Sequence, residues 1–158
     1  MACGTCATSG YTIHVYTAES WIEEQAARAR GEMMPFTLED VPREMRMPYL
    51  RVVALPSTAN YLTGAGLSMA SPVHRVVLSS TDRAETIQPL ETSNSTVEGN
   101  NAFRSVTYGS ASAVFTLRDV ERLRQMDKNG EFFIVVVGDN QNKFFKVKSK
   151  FFRQVFGK

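Results

Sequence analysis

The sequence predicts an α+β fold: a mainly antiparallel sheet or two-sheet β-sandwich with two or three short packed helices. Three observations lead there. Segments that alternate apolar and polar residues, or run apolar without a break, outnumber segments with helical periodicity. Most connections between them are short enough for antiparallel neighbours. The phrase Phe-Thr-Leu-x-Asp-Val also occurs twice, at 36–41 and 115–120, each time ahead of an apolar strand.

The repeated phrase spells a helix start. Thr37 and Thr116 stand at the N-cap position, with Asp40 and Asp119 three residues on, as in a capping box. Phe36 with Val41, and Phe115 with Val120, have the spacing of a hydrophobic staple. Only this cap chemistry is shared by the two copies, so a duplicated half is not the preferred explanation.

With 158 residues, 43% of them hydrophobic, the chain suffices for one domain with a real core. The expected division is a flexible N-terminal lead-in over 1–10 and a single globular α+β domain over 11–158. No apolar run is long enough to span a bilayer as a helix. Met1-Ala2-Cys3-Gly4 carries no secretory signal. The protein is therefore expected in the cytoplasm, or in a bacterial envelope after removal of a signal.

Residues 11–17 alternate Tyr11, Ile13 and Val15 against Thr12, His14 and Tyr16, which predicts a strand. Thr17 can cap a helix over 18–30 whose apolar stripe is Ala18, Trp21, Ile22, Ala26 and Ala29, with Gly31 as its stop. After the first repeated phrase, Pro42 should keep the helical turn short. Residues 49–55 read as an apolar strand closed by Pro56. A long small-residue loop fills 57–72. Strands are expected at 73–79 and 85–90, with a turn over 80–83. Residues 92–101 read as a polar surface loop. Residues 103–108 and 113–115 read as extended, with a turn near Gly109. The second phrase starts a helix over 117–126, and Asp127-Lys128-Asn129-Gly130 makes the turn after it. Phe132–Val137 has no polar interruption and should be a central strand buried on both faces. The return strand places Phe145 and Val147 inside and Lys146 and Lys148 outside. A last short helix or extended tail carries Phe151, Phe152, Val155 and Phe156.

No constellation amounts to a catalytic signature. Cys3-Gly4-Thr5-Cys6 has redox spacing but no strand before it. A zinc site would need further ligands, and the chain offers only His14 and His74. Ala2-Cys3 resembles the end of a bacterial lipoprotein signal, which makes Cys3 a candidate for lipidation. His74 alternates onto the face of Val76 and Leu78, where a core histidine is expected. His14 shares a face with Tyr16. Gly64-Ala65-Gly66 lacks the third glycine and the strand–helix setting of a dinucleotide site. The 127–131 run begins like a calcium loop, but Phe132 and Gly138 stand where that loop needs its glycine and its closing glutamate. No metal and no cofactor is expected. Asn94-Ser95-Thr96 matches a glycosylation acceptor.

Two surfaces are candidate binding sites. The 57–72 loop carries Tyr61, Leu62, Leu67 and Met69, which can present an apolar face to a protein partner. Residues 143–158 hold six bases and no acid, so Lys146, Lys148, Lys150 and Arg153 can meet an anionic membrane surface. Nucleic acid is the less favoured partner here, because alternation turns Phe145 away from the lysines. It would require exposed rings beside those lysines. The leading expectation is a non-catalytic binding or structural module, exported and lipid-anchored. The alternatives are a small hydrolase or transferase using His14 or His74, and a basic adaptor for nucleic acid or anionic membrane acting through 143–158.

Overall fold

The computed structural model describes residues 3–8, 11–41, 46, 48–56, 73–101, 104–138 and 142–156. Two antiparallel sheets and three helices make an α+β fold. The first sheet joins β1 (Cys3–Thr8), β2 (Tyr11–Thr17), β3 (Tyr49–Pro56), β7 (Arg104–Thr116) and β6 (Glu91–Asn101), in that spatial order. The second joins β5 (Thr86–Ile87), β4 (Arg75–Ser79), β8 (Phe132–Val137) and β9 (Asn142–Val147). The helices are α1 (Ala18–Gly31), α2 (Leu117–Met126) and α3 (Ser149–Phe156), and a 3-10 turn covers Leu38–Asp40.

Alternation decides which side of each sheet is inside. Tyr11, Ile13 and Val15 of β2, Leu50, Val52 and Ala54 of β3, and Ala111, Ala113 and Phe115 of β7 form the inner face of the first sheet. They meet Val76 and Leu78 of β4, Phe132, Ile134 and Val136 of β8, and Phe145 and Val147 of β9. Helices α2 and α3 close this cluster with Val120 and Leu123, and with Phe152 and Val155. Each Val, Leu, Ile or Phe among them withdrawn from water contributes about 1.5–3 kcal/mol. A smaller cluster on the outer face of the first sheet joins Val41, Tyr49 and Val114 to Ala18, Ile22 and Phe36. Helix α1 therefore covers the outer side. Its predicted stripe is only half-buried.

The two copies of the repeated phrase diverge in length and share their staple. Phe36 and Val41 fall in the outer cluster, and Phe115 and Val120 fall in the main core. At Thr116 the cap works as expected, with the Asp119 N–H donating to Thr116 Oγ1 at 3.2 Å. At Thr37 the backbone N–H donates to the Asp40 carboxylate at 2.7 Å, but the helical turn ends after three residues.

Four expectations need correction. Cys3–Thr8, inside the stretch read as a flexible lead-in, is the edge strand β1, paired with β2 from Cys3↔Tyr16 to Thr8↔Tyr11. Small residues carry no pattern there, and the ladder to an alternating neighbour supplies what the pattern lacks. Residues 92–101, read as a loop, belong to β6, whose side chains at 91–95 are exposed. An edge strand with no buried face shows no apolar alternation. Gly109 lies within the continuous strand β7, opposite Thr96, rather than in a turn. The strand expected over 85–90 shrinks to Thr86–Ile87, leaving Leu90 exposed.

A polar network ties the connections at one end of the second sheet. Asp127 accepts hydrogen bonds from Thr81 Oγ1 at 2.7 Å, Asn129 N at 2.8 Å and Glu131 N at 3.1 Å. The 127–131 stretch is thus a turn into β8. Ser149, at the start of α3, bonds to the Asn129 carbonyl, and Arg124 Nε donates to the Gly130 carbonyl at 3.3 Å. Gly130 has φ 68°, and a Cβ there would lie 3.0 Å from Ser149 Oγ. Gly130→Ala should cost roughly 1–2 kcal/mol through the left-handed backbone, before any clash with Ser149. Urea unfolding of the variant checks this.

The bonds from Thr81 and from the Glu131 and Asn129 amides hold the Asp127 carboxyl below its ordinary pKa, the Thr81 bond most of all. A depressed carboxylate adds stability above its unfolded pKa, and that stability is lost as pH falls through the lower folded value. Tm should therefore drop as pH falls from about 4 downward, near the unfolded aspartate pKa. In Asp127→Asn, Tm should be lower at neutral pH and less steep across the acid range. Thermal scans across pH read both.

Candidate functional site

The ladder register sets up a cleft at one end of the first sheet. Thr17, the last residue of β2, pairs with Leu50, and Thr116, the last of β7, pairs with Tyr49. The N-caps of α1 and α2 thus flank the start of β3. At the α1 cap, the Ser20 N–H donates to Thr17 Oγ1 at 3.1 Å and the Thr17 N–H donates to Ser20 Oγ at 2.9 Å. This reciprocal box fixes the first turn of α1 beside the end of α3.

The resulting cleft has a volume of ≈ 510 Å³. Ala18 and Ile22 of α1, Pro48 and Tyr49 before and within β3, Leu117 of α2, and Val155 and Phe156 of α3 give it apolar walls. Thr17, Glu19, Glu23 and Arg46 supply the polar positions. Arg46 is held in place by donation from its Nε to the Val41 carbonyl at 2.9 Å. An apolar cavity of several hundred Å³ with a few polar groups suits a small ligand. A second recess of ≈ 600 Å³, along Thr116, Arg118, Asp119, Glu121, Arg122 and Gln125, is an open charged helix face without apolar walls.

Tyr49 connects the cleft to the outer face of the first sheet. It is 3% exposed, and its buried hydroxyl makes no hydrogen bond of standard length. Burial pushes the phenol pKa up. The nearby Arg51 guanidinium opposes that rise by its charge and by a weak polar contact with the hydroxyl, and the Glu91 charge adds to it. The absence of a bond of standard length defines the state of the hydroxyl, and the Arg51 contact is the longer-range effect. Arg51 is itself committed elsewhere, with Nε donating to Ser112 Oγ at 3.0 Å and the guanidinium 5.1 Å from the Trp21 ring.

The residues singled out in the sequence are dispersed. Tyr61, Leu62, Leu67 and Met69 lie outside the described residues, as does the Gly64–Gly66 run. Cys3 opens β1. Lys146, Lys148, Lys150 and Arg153 are all exposed, and Lys146 Nζ sits 3.0 Å from a Glu131 carboxylate oxygen. His14 lies on the outer face of the first sheet, its ring 6.4 Å from that of Tyr16. His74 is exposed, which corrects the core position expected for it. Val73 takes the buried place instead, with its N–H on the Gly109 carbonyl, and β4 begins only at Arg75. The side-chain amide of Asn94, in the glycosylation-like triplet, donates to the His74 carbonyl at 3.2 Å. Neither histidine lines the cleft. Among the described residues, no group of three His, Cys, Asp or Glu is placed to hold a metal.

The cleft itself was missed by sequence reasoning. Its walls come from three helix ends far apart in the chain, and only the two capping threonines gave a signal. Comparison of the chain with family models, with curated proteins and with solved structures finds no match.

A buried phenol without a full hydrogen bond costs about 1–3 kcal/mol relative to a satisfied one. Tyr49→Phe should therefore leave stability unchanged or raise it by up to about 1 kcal/mol. A loss of more than about 1 kcal/mol in urea unfolding would mean that the hydroxyl has a partner.

Proposed function

We propose that this protein is a non-catalytic binding module, exported and lipid-anchored through Cys3, that takes a small apolar-bodied ligand between its helix ends. The single observation that carries the binding reading is the ≈ 510 Å³ cleft, with apolar walls and few polar groups. Its Thr, Glu, Tyr and Arg side chains can orient a ligand. They do not make up the nucleophile, base and orienting group of acyl transfer. Neither histidine lines the cleft, which favours binding over hydrolysis there. The anchor reading rests on Ala2-Cys3 alone.

The test is a panel of small apolar fragments titrated into the full chain and followed by methyl NMR. Shifts should concentrate at Ile22, Leu117 and Val155 and should vanish in Ile22→Trp, whose larger ring fills the cleft, in a variant whose Tm matches wild type. Shifts scattered over the surface, or equal in the variant, would sink the cleft as a site. For the anchor, intact mass of protein from its native host should show a lipid-sized addition at Cys3, and an unmodified Cys3 would remove that part of the proposal.

A further inference from the structure

The outer face of the second sheet carries a separate constellation. Phe144 of β9 points away from the core and is 37% exposed. Phe133 of β8 meets it edge-on, with ring centroids 5.6 Å apart at 83°. The Arg83 guanidinium lies 4.1 Å from the Phe144 centroid and 6.0 Å from that of Phe133. Lys146 stands opposite Phe133 in the β8–β9 register, exposed Lys148 continues the same side of the strand, and exposed Arg75 occupies the far end of β4.

The turn that presents Arg83 is fixed. Arg83 has φ 61°, a left-handed conformation that a side-chain-bearing residue adopts only when its surroundings impose it. Its N–H donates to the Ser80 carbonyl at 3.0 Å, and Ser80 Oγ donates to Asp82 at 2.6 Å. Thr81 anchors the same turn to Asp127. Asp82 and Glu131 are the acids beside the patch. Asp82 is engaged by Ser80 and by the Ala84 N–H, and Glu131 by Lys146. Arg75, Arg83, Lys146 and Lys148 outnumber them.

An exposed ring, a guanidinium plane stacked on it and flanking cations on a sheet face are the components that hold single strands. Bases stack on rings and guanidinium planes, and cations neutralise phosphates. Duplex recognition instead needs an element that enters a groove. On this face Val77 and Val135 are buried, so its open part is the end that carries Phe133, Phe144 and Lys146. We infer that the outer face of the second sheet binds single-stranded nucleic acid. A base stacks on the Phe144–Arg83 pair, and phosphates sit at Arg75, Lys146 and Lys148. This site is independent of the cleft.

The test is fluorescence anisotropy of a labelled oligothymidylate of about 12 nucleotides, within the usual span of single-strand sites, titrated with the full chain at low salt. Saturable binding is expected, tighter than to a duplex of equal length. Phe144→Ala and Arg83→Ala should each weaken it about fivefold or more. Phe144→Leu keeps an apolar side chain without a flat ring, so it should weaken binding as Phe144→Ala does while Tm stays near wild type. Arg75→Ala should reduce the steepness of the salt dependence by about 0.7 in log–log slope. Arg122→Ala, on α2, should change nothing. No binding, full affinity in Phe144→Leu, an unaltered salt slope in Arg75→Ala, or capture by phosphatidylglycerol vesicles but not by the oligonucleotide would each overturn the inference.

Discussion

The contact between the inner faces of the two sheets is what the rest of the structure hangs on. Ile13, Val52 and Ala113 on one side and Val76, Ile134 and Val136 on the other are almost completely withdrawn from water. Because side chains alternate along each strand, burying these residues forces His14, Val53 and Ser112 to the far side of the first sheet. It forces Phe133, Val135 and Phe144 to the far side of the second. Both candidate surfaces follow from this one choice. The cleft forms where strands of the first sheet run out into capped helices, and the aromatic face is what the second sheet turns away from the core.

Arg124 shows how polar groups finish what apolar burial begins. Its guanidinium lies 3.9 Å from the centroid of Phe152, whose ring also meets Phe132 edge-on and stacks on Phe156 at 4.3 Å. The same side chain holds Glu121 and the Gly130 carbonyl. One residue thus couples α2 to α3 and to the turn before β8. A cation placed over an aromatic ring and shielded from water gains more than an exposed one. The long methylene stem packs on the core while the head stays polar.

Legibility in the sequence followed burial. Strands β2, β3, β8 and β9, which alternate or run apolar, were readable with nearly correct ends, and so were the caps at Thr17 and Thr116. Strands β1 and β6 were not, because edge strands of small or polar residues owe their conformation to a neighbour's ladder rather than to their own pattern. His74 was misplaced because strict alternation was extended one residue past the point where Val73 turns inward. The aromatic face was half legible. Phe145 was correctly assigned to the core, and the same alternation implies that Phe144 faces out beside Lys146. The helix-end cleft left no periodic trace, since its walls converge only after folding.

The long β6–β7 hairpin has a consequence of its own. Over residues 91–95 neither face of β6 is buried, so no apolar pattern penalises a shift of the strand along β7. Besides the β6–β7 ladder, polar pins hold this stretch: the Ser95–Ser110 hydroxyl pair at 2.7 Å, the Asn94 amide on the His74 carbonyl, and the Leu90 N–H on the Val114 carbonyl. Such a strand can peel or slide in local openings that leave the central layers closed. An opening confined to the 91–95 edge therefore need not pass through global unfolding.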